Sequence, residues 1–391
     1  MTLLLVVIYV SFIGLGIPDS LFGSALSSII EEYSLPLSAS NLVSSLVSLC
    51  TVISSLLAAR LLKRFGTAFV TIVSTATTAL ALLGYSLSGS FAFMLLCAIP
   101  LGLGAGAIDA GLNNYIALHF GGTHMNFLHC FYGVGVIVSP YLMSIMLQRA
   151  TWREGYFAAF LLQACIALLL LLSLPLWKKA GKGEITEDMP AVRTLTMKQM
   201  TSHAGIRWAW VLSFSTNAVE ALSGIWGATY LIRTHDLTAD QGASAIILYY
   251  AGMTLGRFLS GVFADKLGSR GLIRLGIYTL TVGCVLLILP AGSLGLSIAA
   301  LFLIGLGNGP IYPNLVNLTP EHFGADVSAS VIGSQMAVAY AGFMVAPPLF
   351  GVMADHWGLS CLPPALCLFL ALLILSRVML HRTLKTIPVF Q

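Results

Sequence analysis

Long apolar stretches, each about twenty positions in length, follow one another along this chain with short polar breaks between them. They centre near Leu15, Cys50, Thr77, Gly104, Gly135 and Ala167, and again near Glu220, Gly252, Thr281, Gly307, Gly342 and Leu370. A helix needs roughly 20 mostly apolar residues to cross hydrocarbon. In lipid, backbone polar groups must be satisfied within the segment or in a closed barrel. Barrel strands would alternate over about ten residues; these runs are continuous, so the pattern predicts an all-α membrane protein with twelve transmembrane helices. One long polar segment, KKAGKGEITEDMPAVRTLTMKQMTSHAGIR from Lys178, separates six runs from six and reads as a linker. The expected organisation is a six-helix bundle over 1–177, a linker over 178–206 and a second bundle over 207–391.

The two halves share a frame. LGLGAGAIDAGLNNYIALHFGG begins at Leu101, and IGLGNGPIYPNLVNLTPEHFGA begins at Ile304. At an offset of 203, Gly102, Gly104 and Gly106 match Gly305, Gly307 and Gly309. Leu112, Asn114, His119, Phe120 and Gly121 then match Leu315, Asn317, His322, Phe323 and Gly324. The chain reads as two copies of one unit. Tyr312 stands where Asp109 does, so the copies differ in chemistry.

Composition agrees with a membrane protein. Of 391 residues, 58% are hydrophobic and 9% charged, against about 25% charged in soluble domains. The net charge of +4 points to no nucleic-acid partner, because the cations lie in short loops and read as topology. Fifteen Lys and Arg, among them Arg60, Lys63, Lys178, Lys266, Arg274 and Lys385, occupy one set of loops and the C-terminal tail; Arg149, Arg153 and Arg233 occupy the other. The positive-inside rule puts the linker and both termini in the cytoplasm. Arg257 is the remaining cation, placed near the cytoplasmic end of its helix. The seven cysteines all lie in apolar runs without metal or disulfide spacing. They read as small buried hydrophobes. No basic segment precedes the first run, so no cleaved leader is expected. No metal or organic cofactor is expected, and no nucleophile–base constellation suggests an enzyme.

Small residues at 102, 104, 106, 305, 307 and 309 permit close helix approach. Prolines at 18, 100, 140, 310, 313, 347 and 348 fall inside apolar runs. Each removes a helix hydrogen bond, a tolerable break where neighbours satisfy the freed carbonyl.

Three acids stand well inside the runs: Asp19, Asp109 and Glu220. A carboxylate at helix centre costs roughly 2.5–3.5 kcal/mol on insertion scales. A buried ion pair would be the bland explanation, but the chain offers no cation placed at that depth. The alternative is a proton or ion site, since desolvation raises a carboxyl pKa. Aligning Ser11-Phe12 with Ser213-Phe214 sets Pro18 against Glu220, so Asp19 and Glu220 lie one residue apart on equivalent helices. Asn113 is one turn beyond Asp109 on the same face. Asn314 and Asn317 occupy the matching helix of the second unit, and His129 and Gln335 hold equivalent places in the fifth helices. Asn217, Trp226, Tyr249 and Tyr250 complete a set of amides and aromatics suited to a neutral polyhydroxylated ligand. Helix–helix hydrogen bonding or an interfacial belt explains any one of them equally well.

Gly261-Val-Phe-Ala-Asp265-Lys266-Leu-Gly268-Ser-Arg270 reads G-x-x-x-D-K-x-G-x-R between two helices of the second unit. Ala59-Arg-Leu-Leu-Lys63-Arg64-Phe-Gly66 holds the frame in the first. An acid at a helix junction beside cations can clamp helix ends in one state and release them in another; a solvated charged turn is the simpler reading.

This loop, the six-plus-six helices and the basic linker resemble the major facilitator superfamily over essentially the whole chain. GIPDSLFGSAL, GLGAGAIDAGLNNYI and MNFLHCFYGVGVIVSP are similar to the fucose permease branch and its sodium-dependent glucose transporter relatives. That branch carries acids on its first and fourth helices, matched by Asp19 and Asp109, and a polar residue at the place of His129. Its sodium-linked members carry an acid resembled by Glu220. The resemblance implies two bundles related by an axis along the membrane normal, a midplane site between them, and alternating access. The expected function is proton-coupled symport of a sugar or similar polyol. Asp109 is the first choice of proton site, Asp19 serves coupling or gating, and Asn113, His129, Asn217, Trp226, Tyr250, Asn314 and Gln335 bind substrate. Asp265, Lys266 and Arg270 act as a gate. Sodium coupling through Asp19 and Glu220, and proton-driven drug or metabolite efflux, stay open. The other expected partners are the lipid bilayer of the inner or plasma membrane and no second subunit, the protein working as a monomer.

Overall fold

The computed structural model describes residues 2–35, 42–149, 151–178, 193–237, 239–289 and 293–386. The linker stretch 179–192 lies outside the described residues. Every regular element described is helical: α1 (Thr2–Tyr33), α2 (Leu42–Phe65), α3 (Thr67–Ser86), α4 (Phe91–His119), α5 (Gly122–Arg149), α6 (Trp152–Leu172), a short α7 (Met197–Ser202), α8 (Ala204–His235), α9 (Ala239–Ile288), α10 (Leu294–Asn308), α11 (Ile311–Asn317), α12 (Thr319–Phe323), α13 (Ser328–Trp357) and α14 (Leu362–Thr386). Among the described residues, ten stretches are long and apolar enough to cross a membrane. One of them, Ala245–Ile288, turns at Gly268 (φ 63°, ψ 161°) and makes two passes. With α8, whose 32 residues hold Glu220 among serines and threonines, the helices number the twelve of the sequence pattern.

Two compact units form: residues Met1–Tyr115 with Leu128–Thr194, and Ile116–Phe127 with Leu195–Gln391. Local sequence sets the helix starts. Thr151 and Glu154 form a capping box at α6, as Thr196 and Gln199 do at α7, each pair satisfying orphan N–H groups. Leu80, Leu96 and Ile247 are exposed, while Thr75, Thr78, Asn113 and Gln335 are buried. That inversion of the soluble pattern suits lipid, where helices associate through close packing and polar contacts.

The repeat is written in backbone contacts. A Cβ added to Gly102 would lie 2.3 Å from the Val47 carbonyl, and one added to Gly106 would lie 2.4 Å from that of Thr51. In the second unit, Gly305 meets the Tyr249 carbonyl at 2.2 Å and Gly309 that of Met253 at 2.5 Å. Gly104 packs on Ser74 and Thr78; Gly307 packs on Gly276 and Leu280. Each partner in the second unit carries the number of its counterpart plus 202. The glycines exist so that three helices can cross backbone to backbone, and the same three cross in both copies. Gly66 (φ 77°, ψ 160°) and Gly268 repeat the same left-handed turn, which a Cβ disfavours.

The copies part at proline. The first-unit helix α4 is continuous through Ala110, whereas Pro310 and Pro313 divide the matching helix into α10 and α11. Proline at 313 leaves the Gly309 carbonyl without its helical donor, and Arg257 Nε supplies one at 3.4 Å. At the first unit's equivalent place, Ser55 Oγ donates to the Gly106 carbonyl at 3.4 Å.

At one end of the first unit, Arg153 forms a two-pronged pair with Glu32, Nη1 to Oε2 at 2.8 Å and Nη2 to Oε1 at 2.6 Å. It also donates to the Ser88 carbonyl and stacks over Trp152. The guanidinium's hydrogen bonds hold the Glu32 carboxyl below its usual range.

Candidate functional site

In the first unit three of the expected residues form a chain. Asn113, one turn after Asp109 on α4, donates from Nδ2 to Asp109 Oδ1 at 2.8 Å and to the Asp109 carbonyl at 2.9 Å. Its Oδ1 lies 3.1 Å from His129 Nε2 on α5. Because the amide gives its N–H groups to the acid, its oxygen is left to accept, which assigns the hydrogen to His129 Nε2. All three are buried, and Phe12 sets its ring edge-to-face against the imidazole at 5.9 Å. A deep carboxylate thus reaches a titratable ring through one amide.

Asp19 lies apart from this chain. Its side chain is exposed and accepts from the Tyr132 hydroxyl at 2.5 Å. Tyr132 follows His129 by three positions, so one face of α5 presents both groups. Tyr132 was not among the expected residues; its spacing from His129 was the available signal.

In the second unit Glu220 has a partner that sequence reading placed elsewhere. Arg257 is buried, with 6% of its surface exposed. Its Nη2 lies 3.3 and 3.5 Å from the two Glu220 oxygens. The expectation that no cation lies at the depth of the three acids is therefore corrected for Glu220. Tyr249 donates to the Glu220 backbone carbonyl at 3.3 Å, and Tyr250 stacks edgewise on Tyr249.

Other expected residues are engaged within their own unit. Asn217 donates back to the Ser213 carbonyl at 2.8 Å. Trp226 donates to the Pro347 carbonyl at 3.1 Å and packs on Phe350. Tyr250 is 40% exposed. Asn314 and Asn126 exchange amide hydrogen bonds, both at 3.2 Å, and Asn314 also donates to Ser260 and to the Pro310 carbonyl. Gln335 accepts from Thr319 at 2.9 Å, while its Nε2 is buried with no partner among the described residues.

The G-x-x-x-D-K-x-G-x-R loop surrounds the Gly268 turn. Asp265 accepts from Thr123 Oγ1 at 3.2 Å, and Thr123 is the second residue of α5, where free N–H groups favour an anion. Lys266 is exposed. Arg270 pairs with Glu321 at 2.5 Å. Beside that pair His322 is half-buried; desolvation first, then Arg270 and His381, push its pKa down to about 4, so it is neutral at physiological pH.

Comparison with known proteins places this arrangement. The chain is 23% identical over 349 residues to the cis,cis-muconate transport protein of Acinetobacter baylyi, covering 86% of this chain and 83% of the relative. It is 22% identical over 283 residues to a putative glucose/galactose transporter of Helicobacter pylori strain J99, covering 68% and 67%. A solved structure of the Escherichia coli fucose:proton symporter FucP superposes with a TM-score of 0.75 at 14% identity, covering 96% of this chain and 98% of that one; at that identity the likeness shows the fold. The Major Facilitator Superfamily sequence profile matches residues 8–347 and 248–388. Long helices in two copies of one unit, a glycine-marked loop in each, and a match over nearly the whole chain agree: this protein belongs to the Major Facilitator Superfamily.

Proposed function

We propose that this transporter takes up a sugar or similar polyhydroxylated small molecule together with a proton, by alternating access across the inner or plasma membrane, with both termini in the cytoplasm. The observation that carries the reading is the buried Asp109–Asn113–His129 chain. The fold shared with a fucose:proton symporter and the kinship to a putative glucose/galactose transporter support the sugar class.

The chain gives coupling a chemical form. With Asp109 ionised, Asn113 must aim its N–H groups at the acid and its oxygen at His129. A proton held at Asp109 Oδ1 turns that atom into a donor, and the Asn113 hydrogen bond to it is lost. A half-turn of the amide restores both contacts with reversed polarity: oxygen toward the acid, N–H toward a His129 Nε2 whose hydrogen has passed to Nδ1 by tautomer exchange. One proton thus switches what the amide and imidazole offer a hydroxylated ligand, and by reciprocal linkage the ligand shifts proton affinity. Asp19, held by Tyr132, serves a second coupling or gating step.

Proteoliposomes with imposed gradients test this. Asp109→Asn is expected to keep sugar exchange and to lose accumulation driven by a pH gradient; Asp19→Asn weakens both. Accumulation by Asp109→Asn on a proton gradient alone refutes the assignment. Uptake driven by a sodium gradient at constant pH, and not by a pH gradient, replaces it with sodium coupling.

A further inference from the structure

Two arginine–glutamate pairs in this chain differ in kind. Arg153 and Glu32 meet as a short fork, 2.6 and 2.8 Å, at one end of the first unit. This two-pronged geometry is the strong form of a charge-assisted pair. Arg257 and Glu220, more deeply buried, meet through a single nitrogen at 3.3 and 3.5 Å. Buried ion pairs are poor stabilisers even at good geometry, and this one is loose.

Helix packing does not call for the charge. Arg257 Nε donates to the Gly309 carbonyl, a single hydrogen bond that an uncharged donor can make, as Ser55 Oγ does to the Gly106 carbonyl at the matching place of the first unit. What arginine adds is a guanidinium reaching past the carbonyl to a carboxylate. A guanidinium presents a planar fork of donors fitted to carboxylates. Glu220 occupies it through one nitrogen and keeps 17% of its own side chain exposed, against 8% for Arg257. Glu220 is therefore the member of the pair open to exchange.

We infer that Arg257 is the docking group for a carboxylate on the transported molecule, and that Glu220 occupies it until substrate arrives. This rests on the proposed uptake of a polyhydroxylated molecule and narrows its class to sugar acids, whose carboxylate docks on Arg257. Charge balances in the exchange. Glu220 takes up one proton as it leaves the guanidinium, the substrate carboxylate takes its place, and the number of charges at the pair is unchanged. Among the described residues, the titratable groups that feel the charges of the pair are Tyr249 and Tyr250 of α9. From α10 and α11 the neighbours are the Gly309 carbonyl and, through Thr216, Asn308, neither of which titrates at working pH.

Competition binding to the purified full chain, with D-gluconate and D-glucose as probes, tests the inference. The wild-type protein should bind D-gluconate at least tenfold more tightly than D-glucose, and more tightly as pH falls. Glu220→Gln, which mimics the protonated acid, should strengthen gluconate binding and flatten its pH dependence. An unpaired buried charge can prevent folding, so the uncharged double variant Glu220→Gln/Arg257→Gln is the control. It should bind the two probes within threefold of each other. A gluconate preference that survives in the double variant overturns the inference. So does a wild-type protein that binds or carries glucose and ignores gluconate, a result that leaves the sugar-uptake reading standing. Failure to bind or carry either probe sinks both.

Discussion

Asn113 holds the first unit's polar chain together, and its replacement by leucine, close to it in size, has a cost that can be worked from the contacts. The side chain is fully buried, so water cannot replace what is lost. The 2.8 Å bond to the Asp109 carboxylate is charge-assisted, worth about 1.5–3 kcal/mol, and the 3.1 Å contact with His129 about 1 kcal/mol. The leucine's apolar contacts offset part of this, leaving a net destabilisation of about 2–3 kcal/mol. Asp109→Asn makes the informative comparison. Its amide oxygen still accepts from Asn113 and only the charge is lost, so its cost is about 1 kcal/mol. Reversible unfolding of the purified protein in mixed micelles measures both. The expected order is therefore opposite for stability and for coupling: Asn113→Leu loses more stability, and Asp109→Asn loses all pH-driven accumulation. A shift below about 0.5 kcal/mol for Asn113→Leu, the ordinary range of surface changes, would show that the chain is not formed in the folded protein.

Gly305→Ala puts a methyl group 2.2 Å from the Tyr249 carbonyl and should destabilise by about 1–3 kcal/mol; Gly23→Ala, with nothing within 4 Å, should be neutral or stabilising by about 0.5–1 kcal/mol in the same melt. Because Arg153 lowers the Glu32 pKa, that pair stabilises above the ordinary glutamate pKa and loses its contribution as pH falls through the lowered value. Glu32 is more than a third exposed, so Glu32→Gln should cost no more than about 1 kcal/mol at pH 7, and the gap to wild type should close in strong acid. A gap that widens in acid would reverse the sign and reject the pairing. Asp265→Asn, which weakens the contact with Thr123, should slow turnover and leave substrate affinity nearly intact; lost affinity at normal turnover would remove Asp265 from gating.

The repeat could be read from sequence because its carriers are glycines, and a glycine that lets two backbones touch cannot change type. The loop frame that holds Gly66 and Gly268 was visible too, while the positive φ of each is seen only in the fold. The Asp109–Asn113 contact follows from helical spacing alone. The depth of Arg257 did not show. Hydropathy placed it toward a helix end, and the reason for its burial, a carbonyl freed by Pro313, lies on another helix 52 residues away. The pairing of Asn314 with Asn126, 188 residues apart, has no local signal either. Asn217 looked like a ligand group; it spends its amide on the carbonyl one turn back, an option open to any helical asparagine.

The loose pair of α8 and α9 also bears on how the chain enters the membrane during synthesis. Glu220 precedes Arg257 by 37 residues, and Gly309, whose carbonyl the arginine also contacts, emerges later still. An arginine entering hydrocarbon alone costs roughly 2.5–3.5 kcal/mol on insertion scales. Here the acid leaves the ribosome first, so the cation can enter as half of a neutral helical hairpin before the third helix exists. Nascent chains truncated shortly after Gly268, where the first pass of α9 ends, should therefore insert that hairpin less efficiently when Glu220 is replaced by glutamine, a defect of biogenesis separable from any defect of transport.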